Sequence, residues 1–416
     1  MEEIEEEYIP KEKSNLRWGT IIPLIGGMAL GCELATGVKP LYYLTYKEFS
    51  KNEIHLRRYR PDIPYIDLSR HPDIPAEYCR DIDFISTVCP CAGLSMLNNS
   101  TGNKSRGGDA VQNEWMFKSA EFVLKKIRPK CLWGENAPAL FTKVGESVLE
   151  SFKKIGLKYG YTLSVMKTNT LLHGIPQNRI RTFYFFWRSP TVPFLQWKER
   201  PRVNIVEYLN QVPGNSSLQT LFMTDGQATQ RFAPYQFVLE KTGMSHKEFA
   251  IHYKGTVISY LMKNKQLHEC IEWLKTHGIR GGFYNSRKSC RTFIQYLEHC
   301  KKKVDMGLGF WDESPRFVGL DYWPALIRKS MISAVHPLHD RFLNVREMMH
   351  LMGLPHDFEI DHRSSINHIA QNVPVTTAED WAHEVVKFCV GEASLTNFKY
   401  MKQDNVRKCC ASEEMI

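Results

Sequence analysis

Val88-Cys89-Pro90-Cys91-Ala92-Gly93-Leu94-Ser95 is the stretch on which the reading of this chain turns. It follows Ile82-Asp83-Phe84-Ile85-Ser86-Thr87, an apolar run short enough to be a buried strand. A polar loop, Asn98 to Val111, comes next. A cysteine behind a proline, where a strand ends, falls at the mouth of an α/β sheet, where such folds place their chemistry. Two more stretches point to the same place. Gly134-Glu135-Asn136-Ala137-Pro138 follows the apolar Cys131-Leu132-Trp133, and Gln177-Asn178-Arg179-Ile180-Arg181 precedes Thr182-Phe183-Tyr184-Phe185-Phe186-Trp187. A thiol, a carboxyl group and an arginine, each beside a strand, make a nucleophilic site.

Composition sets the bounds. A chain of 416 residues holds two or three domains and buries a large core. No apolar run approaches the roughly 18 residues that span a bilayer. The acidic start, Met1-Glu2-Glu3-Ile4-Glu5-Glu6-Glu7, lacks the apolar centre of a signal peptide. The eleven cysteines show no paired Cys-x-x-Cys spacing, which argues for reduced thiols rather than a zinc site or a disulfide framework. The net charge of +9 suits a polyanionic partner, although a solvated basic surface gives the same balance.

Along the chain, residues 1–18 read as an acidic tail. Thr20-Ile21-Ile22-Pro23-Leu24-Ile25 reads as a buried strand, and Gly26-Gly27 as the turn into a helix from Met28 to about Ala35. Glycines between strand and helix let the backbone approach a ligand at the helix N-terminus, but they also serve plain turns. Leu41–Leu44, Tyr65–Leu68, Thr162–Asn169 and Thr182–Trp187 read as strands. Asn113–Ile127 and Ala139–Tyr159 have helical apolar spacing. This alternation predicts a doubly wound α/β domain over 19–187. From Arg188 to about Asp340 the alternation fades into prolines, aromatics and basic residues, including Lys301-Lys302-Lys303. Asn344-Val345-Arg346-Glu347 has capping-box spacing for a helix running to about Met352, and Thr376-Thr377-Ala378-Glu379 starts another. Beyond Glu392 the sequence reads as a basic tail.

The motifs Pro90-Cys91, Glu135-Asn136 and Gln177-x-Arg179-x-Arg181, in this order, resemble the DNA (cytosine-5)-methyltransferase family. Two later stretches extend the likeness. Arg341-Phe342-Leu343-Asn344-Val345-Arg346-Glu347 with Gly353-Leu354-Pro355 is similar to the family's Arg-x-Leu-Thr-x-Arg-Glu…Gly-Phe-Pro. Gln371-Asn372-Val373-Pro374 is similar to Gly-Asn-x-Val-Pro. The resemblance runs from about Gly19 to Glu392. It implies a Rossmann-like S-adenosylmethionine-dependent methyltransferase fold with a doubly wound mixed sheet and a smaller target-recognition domain. Residues 19–187 and 341–392 then build the catalytic domain, 188–340 the DNA-binding domain, and 393–416 a tail.

The resemblance also implies roles. Cys91 is the thiolate that adds to carbon 6 of cytosine, with Cys89, on the same face of an extended segment, as the alternative. Glu135 meets ring nitrogen 3 and the exocyclic amine, Arg179 contacts the carbonyl at position 2, and Arg181 buttresses the loop or Glu135. Pro90, Asn136 and Gln177 shape the substrate pocket, while Lys104 and Arg106 meet DNA phosphates. Pro23, Leu24, Ile25, Gly26 and Gly27 fall on the cofactor loop Asp-Leu-Phe-x-Gly-x-Gly-Gly, but Thr20 replaces its acid and Leu24 its first glycine. Asp67 resembles the acid that meets the adenine. Asn372 and Val373 lie beside the cofactor. For the acid that holds the ribose, Glu48 is a shifted candidate that also reads as a helix-face residue.

The implied cofactor is S-adenosylmethionine and the implied partner double-stranded DNA. A monomer is expected, with no metal and no membrane, acting in the cytoplasm (nucleoid) or nucleus and not secreted. Two rival readings remain: a non-catalytic DNA-binding relative, and a pyrimidine carbon-5 modifying enzyme that takes RNA or a different cofactor. The tRNA-modifying branch's Cys-Phe-Thr signature does not occur in the target region.

Overall fold

Eight strands order themselves around the apolar runs. In the computed structural model, which describes residues 12–90, 93–94, 107–108, 110–212, 227–253, 255–278, 293–308, 316–317, 322–327, 334–339, 343–360 and 366–406, they form one sheet. The strands are β1 (Trp18–Ile21), β2 (Tyr43–Thr45), β3 (Tyr65–Asp67), β4 (Phe84–Thr87), β5 (Cys131–Asn136), β6 (Thr162–Asn169), β7 (Ile180–Trp187) and β8 (Tyr400–Asp404). In these labels the sheet order is β8-β6-β7-β5-β4-β1-β2-β3. The run from β3 to β5 is parallel, β7 is antiparallel to both β5 and β6, and β8 is parallel to β6. This is the doubly wound mixed sheet of the Rossmann-like methyltransferase class.

The central strands β1, β4 and β5 are buried at every position, as expected of parallel strands covered on both faces. Aromatic packing locks the antiparallel join. Trp133 on β5 stacks on Phe185 of β7 at 5.8 Å, and Phe185 on Trp187 at 5.3 Å. At the far edge Tyr400 pairs with Leu163. The expected tail from 393 onward is therefore corrected over Tyr400–Asp404. This segment is a half-buried edge strand, and its Tyr-Met-Lys-Gln-Asp sequence carries too little apolar character to announce itself.

Helices cover the sheet. The first is α1 (Gly27–Thr36), followed by α2 (Ile54–Tyr59), α3 (Glu114–Phe122), which runs on through a π-turn to Ile127, and α4 (Glu146–Tyr159). Five helices then gather round their own core: α5 (Gln227–Thr242), α6 (His246–His252), α7 (Val257–Lys263), α8 (Leu267–Thr276) and α9 (Phe293–Asp305). Tyr235, Phe249, Ile258, Leu261, Leu274 and Leu297 fill that core. The described part of 188–340 is thus mainly helical. Near the C-terminus come α10 (Val345–His350), α11 (Ile366–Gln371) and α12 (Val375–Val390). The capping box read from the sequence starts α10, with Asn344 Oδ1 accepting from Glu347 N and Glu347 Oε2 from Asn344 N, both at 2.8 Å.

α12 returns to lie against α1, so one layer of the fold comes from the two ends of the chain. The contact needs Gly31, where a Cβ would sit 2.6 Å from both the Val375 carbonyl oxygen and the Ala378 Cβ. A buried polar chain fastens the other side of α12. His173 Nδ1 lies 2.7 Å from Asp380 Oδ2, and its Nε2 lies 2.8 Å from Thr168 Oγ1. Asp380 only accepts, so Nδ1 carries the proton. Burial lowers the His173 pKa, which keeps the ring neutral and lets Nε2 accept from the threonine. Arg200 closes the network on Asp380 and Glu379.

Gly31→Ala should therefore force α1 and α12 apart and destabilise the protein by about 1–3 kcal/mol. Urea unfolding checks this through a lower midpoint at an unchanged slope.

Candidate active site

β1 and β4 are neighbours at the point where the strand order reverses, with Ile21 beside Thr87. Crevices open at the carboxyl ends of the strands at such points. Here the segment Ile22–Gly27 leaves β1 and Val88-Cys89-Pro90 leaves β4, joined by Val88 N donating to Ile22 O at 3.3 Å. The structure thus brings the glycine turn and the segment ending at Pro90 side by side. Cys91 itself, with Lys104 and Arg106, lies outside the described residues. Cys89 is described and buried. Its thiol is pushed up by burial, which Thr87, Ser119 and Tyr184 offset only in part, so Cys89 stays a protonated core thiol.

The loop after β1 is tightly wound. Ile22 and Leu24 have φ of 54° and 52°, and Gly26 has φ of 103°. Left-handed backbone at a β-branched residue is strained and is found mainly where function fixes it. Pro23, Leu24, Ile25, Gly26 and Gly27 are all buried. Gly27 N donates to Asn372 Oδ1 at 2.8 Å, and a Cβ on Gly27 would lie 2.1 Å from the Val373 carbonyl oxygen. Asn372 and Val373 therefore do meet the glycine turn, and Asn372 Nδ2 is buried without a partner. Thr20, where the family motif has an acid, spends its hydroxyl on Ser86 Oγ at 2.7 Å.

At the ends of β2 and β3 the structure departs from the sequence reading. Glu48 lies on an exposed 3-10 turn, because Phe49 takes the inward position, so Glu48 is corrected to a surface residue. The buried carboxyl in this region is Glu53, the residue that leads into α2. It is fully buried, and neither of its carboxylate oxygens has a hydrogen-bond partner. Burial pushes its pKa up to about 8 against the lowering effects of Thr45 and Arg57. One signal was available: Glu53 and Leu56 are three residues apart, on one face of a short helix. Asp67 closes β3, and its Oδ1 accepts from Ser69 N at 2.9 Å.

Glu135 ends β5 in a buried position. Across the antiparallel ladder it faces Phe183, which puts Arg181, two residues away on the same face, within reach. Arg181 Nε lies 2.7 Å from Glu135 Oε1, an ion pair without hydrogen-bond alignment. Burial raises the Glu135 pKa, while Arg181 and then Arg179 pull it back. Asn136 turns inward, its Oδ1 accepting from Ala137 N at 2.8 Å and its amide meeting Met116 Sδ.

Arg179 and Gln177 are placed differently from the expectation. Arg179 gives Nη1 to the Leu326 carbonyl at 2.9 Å, and Nη2 to those of Ala370 and Asn372 at 2.8 and 3.0 Å. Gln177 Nε2 donates to Leu351 O at 2.7 Å, and its Oε1 accepts from Leu326 N at 2.9 Å. Both side chains are buried and hold the returning C-terminal segments. The arginine that meets Glu135 is Arg181.

Among the described residues, no group of His, Cys, Asp and Glu could hold a metal ion, and no helix is long and apolar enough to cross a membrane. The chain is 26% identical over 159 residues to the Type II methyltransferase M.HaeII of Haemophilus aegyptius, a match that covers 38% of this chain and 46% of the relative. It therefore spans about half the length of that curated relative. Two solved structures share the fold. EhMeth of Entamoeba histolytica superposes with a TM-score of 0.51 at 10% identity over 89% of this chain and 97% of its own. A mutant of DNMT2 from Spodoptera frugiperda gives 0.50 at 10% identity, over 89% and 99%. The family model for C-5 cytosine-specific DNA methylase matches residues 22–387, and the chain belongs to that family.

Proposed function

We propose that this protein transfers a methyl group from S-adenosylmethionine to carbon 5 of a cytosine in double-stranded DNA, through a covalent adduct between Cys91 and carbon 6. The observation that carries the reading is the buried Glu135–Arg181 pair, held at the end of β5 beside the strand that leads into Pro90 and Cys91.

Carbon 5 of cytosine is a weak nucleophile. Addition of the Cys91 thiolate to carbon 6 pushes an electron pair into the ring and makes carbon 5 an enamine carbon. Glu135, whose pKa burial raises, donates a proton to ring nitrogen 3 as that charge develops. Arg181 then faces the carbonyl at position 2, the role first expected of Arg179, since Arg179 is engaged on backbone carbonyls. After methylation, loss of the carbon-5 proton returns the electron pair and expels the thiolate. These atoms are reached only by a base taken out of the duplex.

The crevice fits a nucleoside cofactor. The glycine turn packs directly on Leu56, Asn372 and Val373, and Asn372 Nδ2 is buried there without a partner. Pro23, Leu24, Ile25, Asp67 and Val373 would complete the lining. When bound, S-adenosylmethionine supplies an electrophilic methyl group on a sulfonium. Lys104 and Arg106 are assigned to phosphates, and the helical segment within 188–340 to target recognition, with 19–187 and 341–392 as the catalytic domain. A DNA substrate implies the cytoplasmic nucleoid or the nucleus.

Mass spectrometry of nucleosides from mixed-sequence DNA tests the reaction. Wild type should form 5-methylcytosine and Cys91→Ala should form none. Absence of product with wild type that binds both DNA and an S-adenosyl ligand would overturn the reading in favour of a non-catalytic relative.

The two arginines should separate cleanly. Arg181→Ala should lower turnover by roughly 10²–10³-fold with little loss of thermal stability. Arg179→Ala should strand three buried carbonyls, each costing about 1–3 kcal/mol, and lower the melting temperature first. Single-turnover rates and thermal melts on the same samples check both.

Glu135 must carry a proton to act, and its pKa lies above the usual carboxylate range. The rate should thus fall as pH rises through that pKa. In Glu135→Gln that limb should flatten, on a rate roughly 10²–10⁴-fold lower.

A further inference from the structure

The carboxyl ends of β4 and β5 carry the proposed chemistry. Their amino ends frame a second cleft, of about 480 Å³. Asp83 leads into β4, Lys130 into β5, and Arg188 leaves β7 beside them. Lys126 and Arg128 come from the end of α3, and Asp81 completes the polar wall. Four cationic side chains therefore meet two carboxylates in one concave space, whose volume is that of a small-ligand site.

The charge on this wall is unevenly committed. Asp83 is buried and spent inside the protein: its Oδ2 accepts from Arg17 N at 2.8 Å, and its Oδ1 lies 3.1 Å from Lys130 Nζ. Lys130 Nζ also donates to Cys389 O at 2.8 Å. Lys126 Nζ lies 3.0 Å from Asp73 Oδ1, but both side chains are mostly exposed, and such a pair contributes little. Arg128 and Arg188 are exposed and form no ion pair among the described residues.

The two arginines are also held in place. Arg188 N donates to Lys130 O at 2.8 Å, and its Nη1 to Arg128 O at 2.7 Å. Arg128 closes the π-turn with φ of 55°, its N–H donating to Val123 O at 2.9 Å. That left-handed position favours glycine. Here it carries a guanidinium instead, at a cost in backbone energy. Positioned guanidinium groups that no carboxylate neutralises are the side chains best suited to phosphate oxygens.

We infer that this cleft binds a small phosphate-bearing anion, with Arg128 and Arg188 as its main contacts and Lys126 adding positive charge. The confined space, with carboxylates on its wall, favours a compact ligand over duplex DNA, whose charge runs on along the helix axis. The site lies at the opposite ends of the strands from Glu135 and does not depend on the methyl-transfer reading.

Calorimetric titration of the full chain with sodium triphosphate, without divalent cations, tests this. Wild type should bind one equivalent, and Arg128→Gly and Arg188→Gln should each weaken binding by about 10–100-fold. Asp81→Asn should tighten it by about 2–10-fold, because it removes an exposed negative charge from the wall. Without triphosphate, Arg128→Gly should melt no lower than wild type, since glycine suits the left-handed backbone. Loss of binding in that variant is then not loss of the fold. Binding unchanged in both arginine variants would overturn the assignment, as would a wild type that ignores triphosphate. Weaker duplex-DNA binding in those variants, with triphosphate ignored by wild type, would overturn it by giving this face to DNA.

Discussion

The buried guanidinium of Arg179 is the joint on which this structure depends. A cation taken out of water is tolerated only when hydrogen bonds replace its hydration, and here the carbonyls of Leu326, Ala370 and Asn372 accept three of them. The same bonds fix the segment that carries Asn372, whose side chain in turn caps Gly27 at the start of α1. One hydrogen-bonded path therefore runs from β7 through the returning chain to the glycine turn. Two residues further along, Arg181 leaves that path and meets Glu135. The positions of the glycine turn and of the Glu135–Arg181 pair are thus set by one short segment.

The strained loop after β1 fits this picture. Ile22 and Leu24 hold left-handed backbone that costs of order 1–3 kcal/mol each. They are held by what surrounds them: Ile22 N bonds Leu44 O at 2.8 Å, and Gly26 N bonds Pro23 O at 3.0 Å. Thr20 and Ser86 join the two strands beneath. Backbone contacts, rather than the side chains that depart from the family motif, define the shape of this loop.

Much of this was legible in the sequence, for a physical reason. Strands buried on both faces appear as short apolar runs, so β4, β5 and β7 stood out and put Glu135 and the Gln-x-Arg-x-Arg stretch on the sheet. Edge strand β8 is half-buried and polar, and its short Tyr-Met-Lys-Gln-Asp run gave no such signal. Glu53 gave only a weak signal, its spacing to Leu56, because an acid before a short helix normally faces water. The two arginines could not be told apart either. Arg179 precedes β7 while Arg181 lies within it, so strand alternation orients only the second. Cys91 remains an assignment from its place after Pro90.

The meeting of α1 with α12 has a consequence for how the molecule is made. Gly27 and Asn372 are 345 residues apart, and the Gly31 surface of α1 fits only the helix that begins at Val375. Contacts of such separation form late, after the intervening chain has been ordered. On the ribosome, the apolar face of α1 therefore emerges long before the helix that covers it. The nascent chain carries that face bare through the synthesis of the whole helical segment, so demand for chaperone protection should peak before α12 appears.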